Sequence, residues 1–158
     1  MRRTLKFLHT MGSIGITGGL AAYMLVLAML PEGAALDTQL VVREGLALVS
    51  KWLILPSMLA VLLSGLLAIA ANTAFLEAPW VWIKGLAGIL VFESTLLAID
   101  GPTQRNAELL RDAVAGSIEV QALPGMLSDE WGAWWILLGL FTANVVLAIW
   151  RPRFGHRK

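Results

Sequence analysis

The chain contains no cysteine. Disulfides, thiolate metal sites and thiol redox chemistry are therefore closed to it. Charge is scarce too: 15% of the 158 residues are Asp, Glu, Lys or Arg, against roughly a quarter in a soluble domain. A phosphate-binding loop, a hydrolase nucleophile elbow, a His-Glu-x-x-His helix and a nucleic-acid signature are all absent. Met11, Met24, Met29 and Met58 show no metal-cluster spacing and read as core filler. No nucleic-acid partner is expected, no methionine or cysteine metal cluster is present, and the sequence names no catalytic residue.

What the chain does have is apolar length. It is 58% hydrophobic with a mean hydropathy of +0.74. A membrane crossing takes about 20 predominantly apolar residues, at ~1.5 Å each across ~30 Å of hydrocarbon. Segments 7–30, 52–71, 80–99 and 131–150 meet that length. The expected fold is all-α: one membrane domain over 1–158, a polytopic four-transmembrane-helix bundle in the lipid bilayer. Trp52, Trp80, Trp82, Trp131, Trp134, Trp135 and Trp150 fall near the segment ends, where an interfacial belt of amphipathic rings is expected.

Lysine and arginine set an orientation. Arg2, Arg3 and Lys6 precede the first segment, and Arg151, Arg153, Arg157 and Lys158 follow the last. The two loops on the opposite side carry Glu32, Asp37, Glu44, Asp100, Glu108, Asp112, Glu119, Asp129 and Glu130. Basic ends stay inside, which puts both termini in the cytoplasm and the protein in the cell (inner) membrane. The first segment is too long for a signal-peptide core and lacks a small-x-small cleavage site, so it reads as a retained helix.

Leu30-Pro31-Glu32-Gly33 ends helix one. Residues 35–50 form a helical lead-in to the second segment, which Pro56 bends or loosens. Residues 72–79 read as a short inner turn. In 100–125, Leu109, Leu110, Ala113, Val114 and Ile118 recur at helical spacing, which predicts an outer amphipathic helix between spans three and four. Ser128-Asp129-Glu130 reads as the N-cap and acidic first turn of span four.

The polar residues inside these apolar segments are the candidate site. His9, Ser13 and Thr17 stand at steps of four and share one stripe, beside a second stripe of Gly12, Gly15 and Gly19. Small residues let helix backbones approach where lipid offers no hydrophobic drive, so the second stripe predicts a packing seam. His9 then either hydrogen-bonds a neighbouring helix or serves as a ligand. Lys84 lies at a similar depth in span three, where it either snorkels to the interface or partners an anionic group. Glu93 is costly at its depth unless paired or protonated. It reads either as an ion pair with Lys51 or as a proton or cation site. Asn144 and Ser64-Gly65 read as interhelical contacts.

The run "LKFLHTMGSIGITGG" followed by three further spans resembles the four-span family catalogued as domain of unknown function 2269. With "WVWIKGLAGIL" and "PTQRN", it is more distantly similar to CopD-like and HemJ-like membrane proteins. The resemblance to the HemJ-like proteins implies haem b, with His9 as the ligand and Lys84 facing a propionate. With one histidine inside a span, a protomer supplies one axial ligand. Two functions are expected from different classes. One is a helix-bundle subunit or accessory protein that works through assembly with a second copy or another membrane subunit. The other is a haem- or metal-associated redox or transport protein using His9 and Lys84.

Overall fold

The structure, a computed structural model, describes residues 2–31, 33–71 and 79–150. Most of the expected turn at 72–79, the basic tail at 151–158 and the side chains of Trp80 and Trp150 lie outside the described residues. Every described element is helical. α1 covers Arg2–Met29 with no proline to interrupt it. It stops where Pro31 follows, and Gly33 turns the chain at a φ of +78°.

α2 (Leu36–Val49) and α3 (Leu55–Ala70) are joined by a π-turn, Ser50–Ile54. α4 (Pro79–Thr95) and α5 (Gly101–Val114) are joined by a second π-turn, Leu96–Asp100. Each π-turn is followed by one residue and then a proline, Pro56 or Pro102. A proline has no N–H for the carbonyl four residues back, and its ring clashes there. The wider turn absorbs that defect: the Leu55 N–H reaches the Ser50 carbonyl and the Gly101 N–H reaches the Leu96 carbonyl, five residues back in each case. Both rods therefore run on without a break. After Gly116, at a φ of +77°, come a 3₁₀ turn (Val120–Ala122), a short α6 (Leu123–Met126) and α7 (Trp131–Trp150).

Among the described residues, three helices are long and apolar enough to cross a membrane: Arg3–Met29, Leu36–Ala70 and Val81–Val114. α7, 20 residues long, coincides with the fourth apolar segment of the sequence. One expectation needs correcting here. The amphipathic helix at 100–125 is not a separate element between two spans, because α5 continues α4 through the π-turn. Its apolar face is also covered: Leu109, Leu110, Ala113 and Leu123 are buried together against Leu36, Leu40, Ile118 and Leu127. Val114, expected on that face, is 42% exposed.

α1 packs chiefly on α3, α2 on α5, and α4 on both α3 and α7. The end where α1 begins is called the near end, and the opposite one the far end. A core of Ile16, Leu20, Tyr23, Leu27, Ile54, Trp134 and Leu137 fills the far half of the bundle. The outward faces are apolar as well: Leu25, Leu86, Leu97 and Ile136 are each at least 60% exposed.

Candidate functional site

The glycine stripe of α1 is the tightest seam in the fold. A Cβ on Gly12 would stand 2.7 Å from the Ser57 carbonyl oxygen, one on Gly19 2.9 Å from Ile54, and one on Gly15 would collide with the Ser57 hydroxyl. These three residues let α1 lie directly on α3. Ser13 and Thr17 are turned to their own helix, donating to the carbonyls of His9 at 2.8 Å and Ser13 at 2.9 Å.

Toward the near end the helices separate around a cavity of about 610 Å³. His9 from α1, Ser64 from α3, Lys84 from α4 and Asn144 from α7 all line it, so the structure brings the two predicted site residues, His9 and Lys84, to one space. His9 is fixed. Its Nδ1 lies 3.1 Å from the Val61 carbonyl oxygen and 3.2 Å from Ser64 Oγ. A carbonyl only accepts, so Nδ1 carries a proton and donates it there; in the neutral ring Nε2 then keeps the lone pair. Lys84 is half-buried in the opposite wall.

Lys51 and Glu93 are not brought together. No ion pair joins them, and both side chains are exposed. The Lys51 ammonium lies instead 6.0 Å over the ring of Trp52. The expected pair fails on geometry: Lys51 sits in the first π-turn, level with Asp100 through the Ser50–Asp100 hydrogen bond of 2.9 Å, whereas Glu93 lies seven positions back along its own rod. Among the described residues no group of three or more His, Asp or Glu side chains could hold a metal ion.

The far end holds a polar centre that the sequence reading missed. Glu130 is 3% exposed and takes the Tyr23 hydroxyl on Oε2 at 2.7 Å and the Asn106 amide on Oε1 at 2.6 Å. Thr103 lies 2.7 Å from the Tyr23 hydroxyl, and Arg43 Nη1 stands 2.8 Å from Glu130 Oε1. The Arg43 contact is an ion pair by distance alone, because that nitrogen has no well-directed acceptor. Tyr23 from α1, Arg43 from α2 and Asn106 from α5 thus meet at the carboxylate that immediately precedes α7, with Thr103 joined through the Tyr23 hydroxyl. Glu130, expected in the acidic first turn of span four, is buried among side chains of three other helices. The side chain that caps α7 is Asp129, which accepts the Trp131 N–H at 3.0 Å. Trp134 is likewise no interfacial ring: it is 1% exposed and tilted on Tyr23, with ring centroids 4.2 Å apart. Trp52, Trp82, Trp131 and Trp135 are exposed, by 71%, 56%, 39% and 61%.

The signal for this centre was faint but present. Tyr23 is the only tyrosine of the chain and stands inside an apolar run, where a phenol needs a partner. No protein-family model matches the chain, and no curated protein or solved structure matches it significantly.

Proposed function

We propose that this chain is an integral protein of the cell membrane with four spans and both termini in the cytoplasm. In this reading its work is done at the near-end cavity, which holds a small molecule. One observation carries the reading: polar residues from four helices, among them His9, Ser64, Lys84 and Asn144, line a single cavity whose volume lies within the ~300–1,000 Å³ usual for ligand sites. The three long apolar helices and their apolar outward faces support the membrane assignment.

A role confined to assembly draws less support. The two surfaces that suggested it, the glycine stripe and the amphipathic face of α5, are covered within the chain by α3 and by α2. A haem reading is favoured by the Val61 and Ser64 contacts that orient the His9 ring. His9, through Nε2, and Lys84 would be the residues to hold such a group, which would supply one-electron redox chemistry when bound.

Reporter fusions test the membrane assignment. Fusions after Leu36 and Ala115 should read as external, and those after Ala74 and Lys158 as internal. An external C-terminus overturns the orientation. Adding haem to the purified protein tests the second reading: a Soret band lost in His9→Ala supports it, and no bound chromophore in wild type removes it.

A further inference from the structure

We infer that the cavity takes an uncharged, lipid-soluble molecule with a hydroxyl head on an apolar chain or ring body. This inference rests on the proposed function and names the ligand class for that same site.

The head follows from the lining groups that are still able to bond. The His9 Nδ1–H is spent on the Val61 carbonyl, so Nε2 keeps a lone pair and can only accept. Ser13 and Ser64 donate their hydroxyls to the carbonyls of His9 and Val61. Asn144 lines the cavity from within an apolar stretch of α7 and has no hydrogen-bond partner among the described residues. An amide so placed is costly until something bonds it, and it offers both donors and an acceptor. A hydroxyl both donates and accepts, which suits a wall made of Nε2 and an amide. An ether or an ionised acid only accepts and has no proton to give Nε2. The lysines do not call for an anion: Lys6 is exposed, and Lys84 has an interaction of its own.

The body follows from the rest of the wall. Met58, Leu62, Ile69, Val81, Val91 and Phe141 are apolar. Val81 and Val91 both line the space, and ten residues at ~1.5 Å give it a length of roughly 15 Å along α4. Gly85 and Gly88 add room. A Cβ there would make ordinary contacts of 3.5 Å with Ile69 and 3.6 Å with Leu62, so helix approach does not require them. The way in also selects against charge. α1 and α7 meet at the far end through Tyr23 and Trp134 but are not a closely packed pair. Toward the near end the cavity stands between them, with Thr10 on one side and Phe141 and Asn144 on the other. Thr10 is exposed at that edge. In the proposed membrane this side faces hydrocarbon, which admits an uncharged molecule and resists an ion.

The test uses the full chain purified in a neutral detergent and three pyrene-labelled probes of one chain length: an alcohol, its methyl ether and a sulfonate. The ether keeps the acceptor oxygen and loses the donor, while the sulfonate carries a fixed charge. The alcohol should bind about tenfold more tightly than either. Asn144→Leu should weaken the alcohol by about tenfold and leave the thermal melt level or higher, because it removes a costly amide from an apolar helix. A lower melt with unchanged binding would make Asn144 a packing residue and overturn the proposal. Gly88→Leu should abolish binding. Gly88→Ala, which fits in ordinary contact, guards against a folding failure and should weaken binding while the melt is unchanged. An ether that binds as well as the alcohol, a sulfonate that binds more tightly, or full binding in a folded Gly88→Leu variant overturns the proposal. Equal binding of all three probes that Gly88→Leu abolishes keeps the cavity as a ligand site and removes the hydroxyl head. No probe bound removes both. A preference for the alcohol with an external C-terminus supports this inference and overturns the orientation.

Discussion

The Tyr23 hydroxyl lies 2.7 Å from Glu130 Oε2, tying α1 to a residue 107 positions later that opens α7. Both groups are buried, so the bond has no water to exchange with. A carboxylate in that setting is tolerable only because Tyr23, Asn106 and Arg43 all face it.

Removing the cation should therefore be costly. Arg43→Met leaves Glu130 buried beside neutral donors, at about 3–5 kcal/mol. Arg43→Met with Glu130→Gln should recover most of that loss, because no charge remains buried. Arg111→Ala is the control: its ion pair with Glu44 has side chains 59% and 40% exposed, so solvent screens it and its loss should be far smaller. Thermal melts in detergent read all three. Equal losses for Arg43→Met and Arg111→Ala would contradict the buried pair.

Gly15 and Gly18 should respond in opposite directions to the same change. A Cβ on Gly15 meets the Ser57 hydroxyl, while nothing lies within 4 Å of one on Gly18. Gly15→Ala should lower the melting temperature. Gly18→Ala should leave it level or raise it, since alanine favours a helix by up to ~1 kcal/mol over glycine. The same melts decide the matter.

Much of this seam was legible in the sequence, because glycine spacing records a steric requirement directly. The convergence of His9 and Lys84 was legible for a related reason: two polar residues at one depth of apolar helices have few places to go. The Glu130 centre was not. Arg43, Asn106 and Glu130 each stand in a polar stretch where solvent explains them, and only the three-dimensional fold brings 23, 43, 103, 106 and 130 together. The tryptophans misled for the opposite reason. Trp131, Trp134 and Trp135 share one helix end and, at about 100° per residue, span only about 100° of one face, so position in the sequence does not separate the buried Trp134 from its exposed neighbours. The polar composition of 100–114 suggested a separate helix, because a π-turn leaves no break for composition to mark.

Lys51 and Glu93 should behave independently. Lys51→Met, Glu93→Gln and the double variant should give melting-point changes that add, with coupling below about 0.5 kcal/mol. Recovery of stability in the double variant would restore the ion pair that the structure does not contain.

His9→Gln should be almost silent for stability, since a glutamine amide can donate to the Val61 carbonyl in place of Nδ1. His9→Ala should lose about 1 kcal/mol, as expected of one hydrogen bond. A large loss in His9→Gln would mean that the ring does more than this contact.

The paired π-turns have a further consequence. Each adds one residue to the count of its rod, which rotates everything beyond it by about 100°. Ser50, which opens one turn, and Asp100, which closes the other, are bonded at 2.9 Å, so the two insertions stand at one level. Length changes in the two rods are thereby linked. A single-residue deletion in Ser50–Ile54 alone would swing Arg43 and the apolar face of α2 away from α5. A matching deletion in Leu96–Asp100 would turn the apolar face of α5 away from α2 as well, so the two deletions together should cost more than either alone.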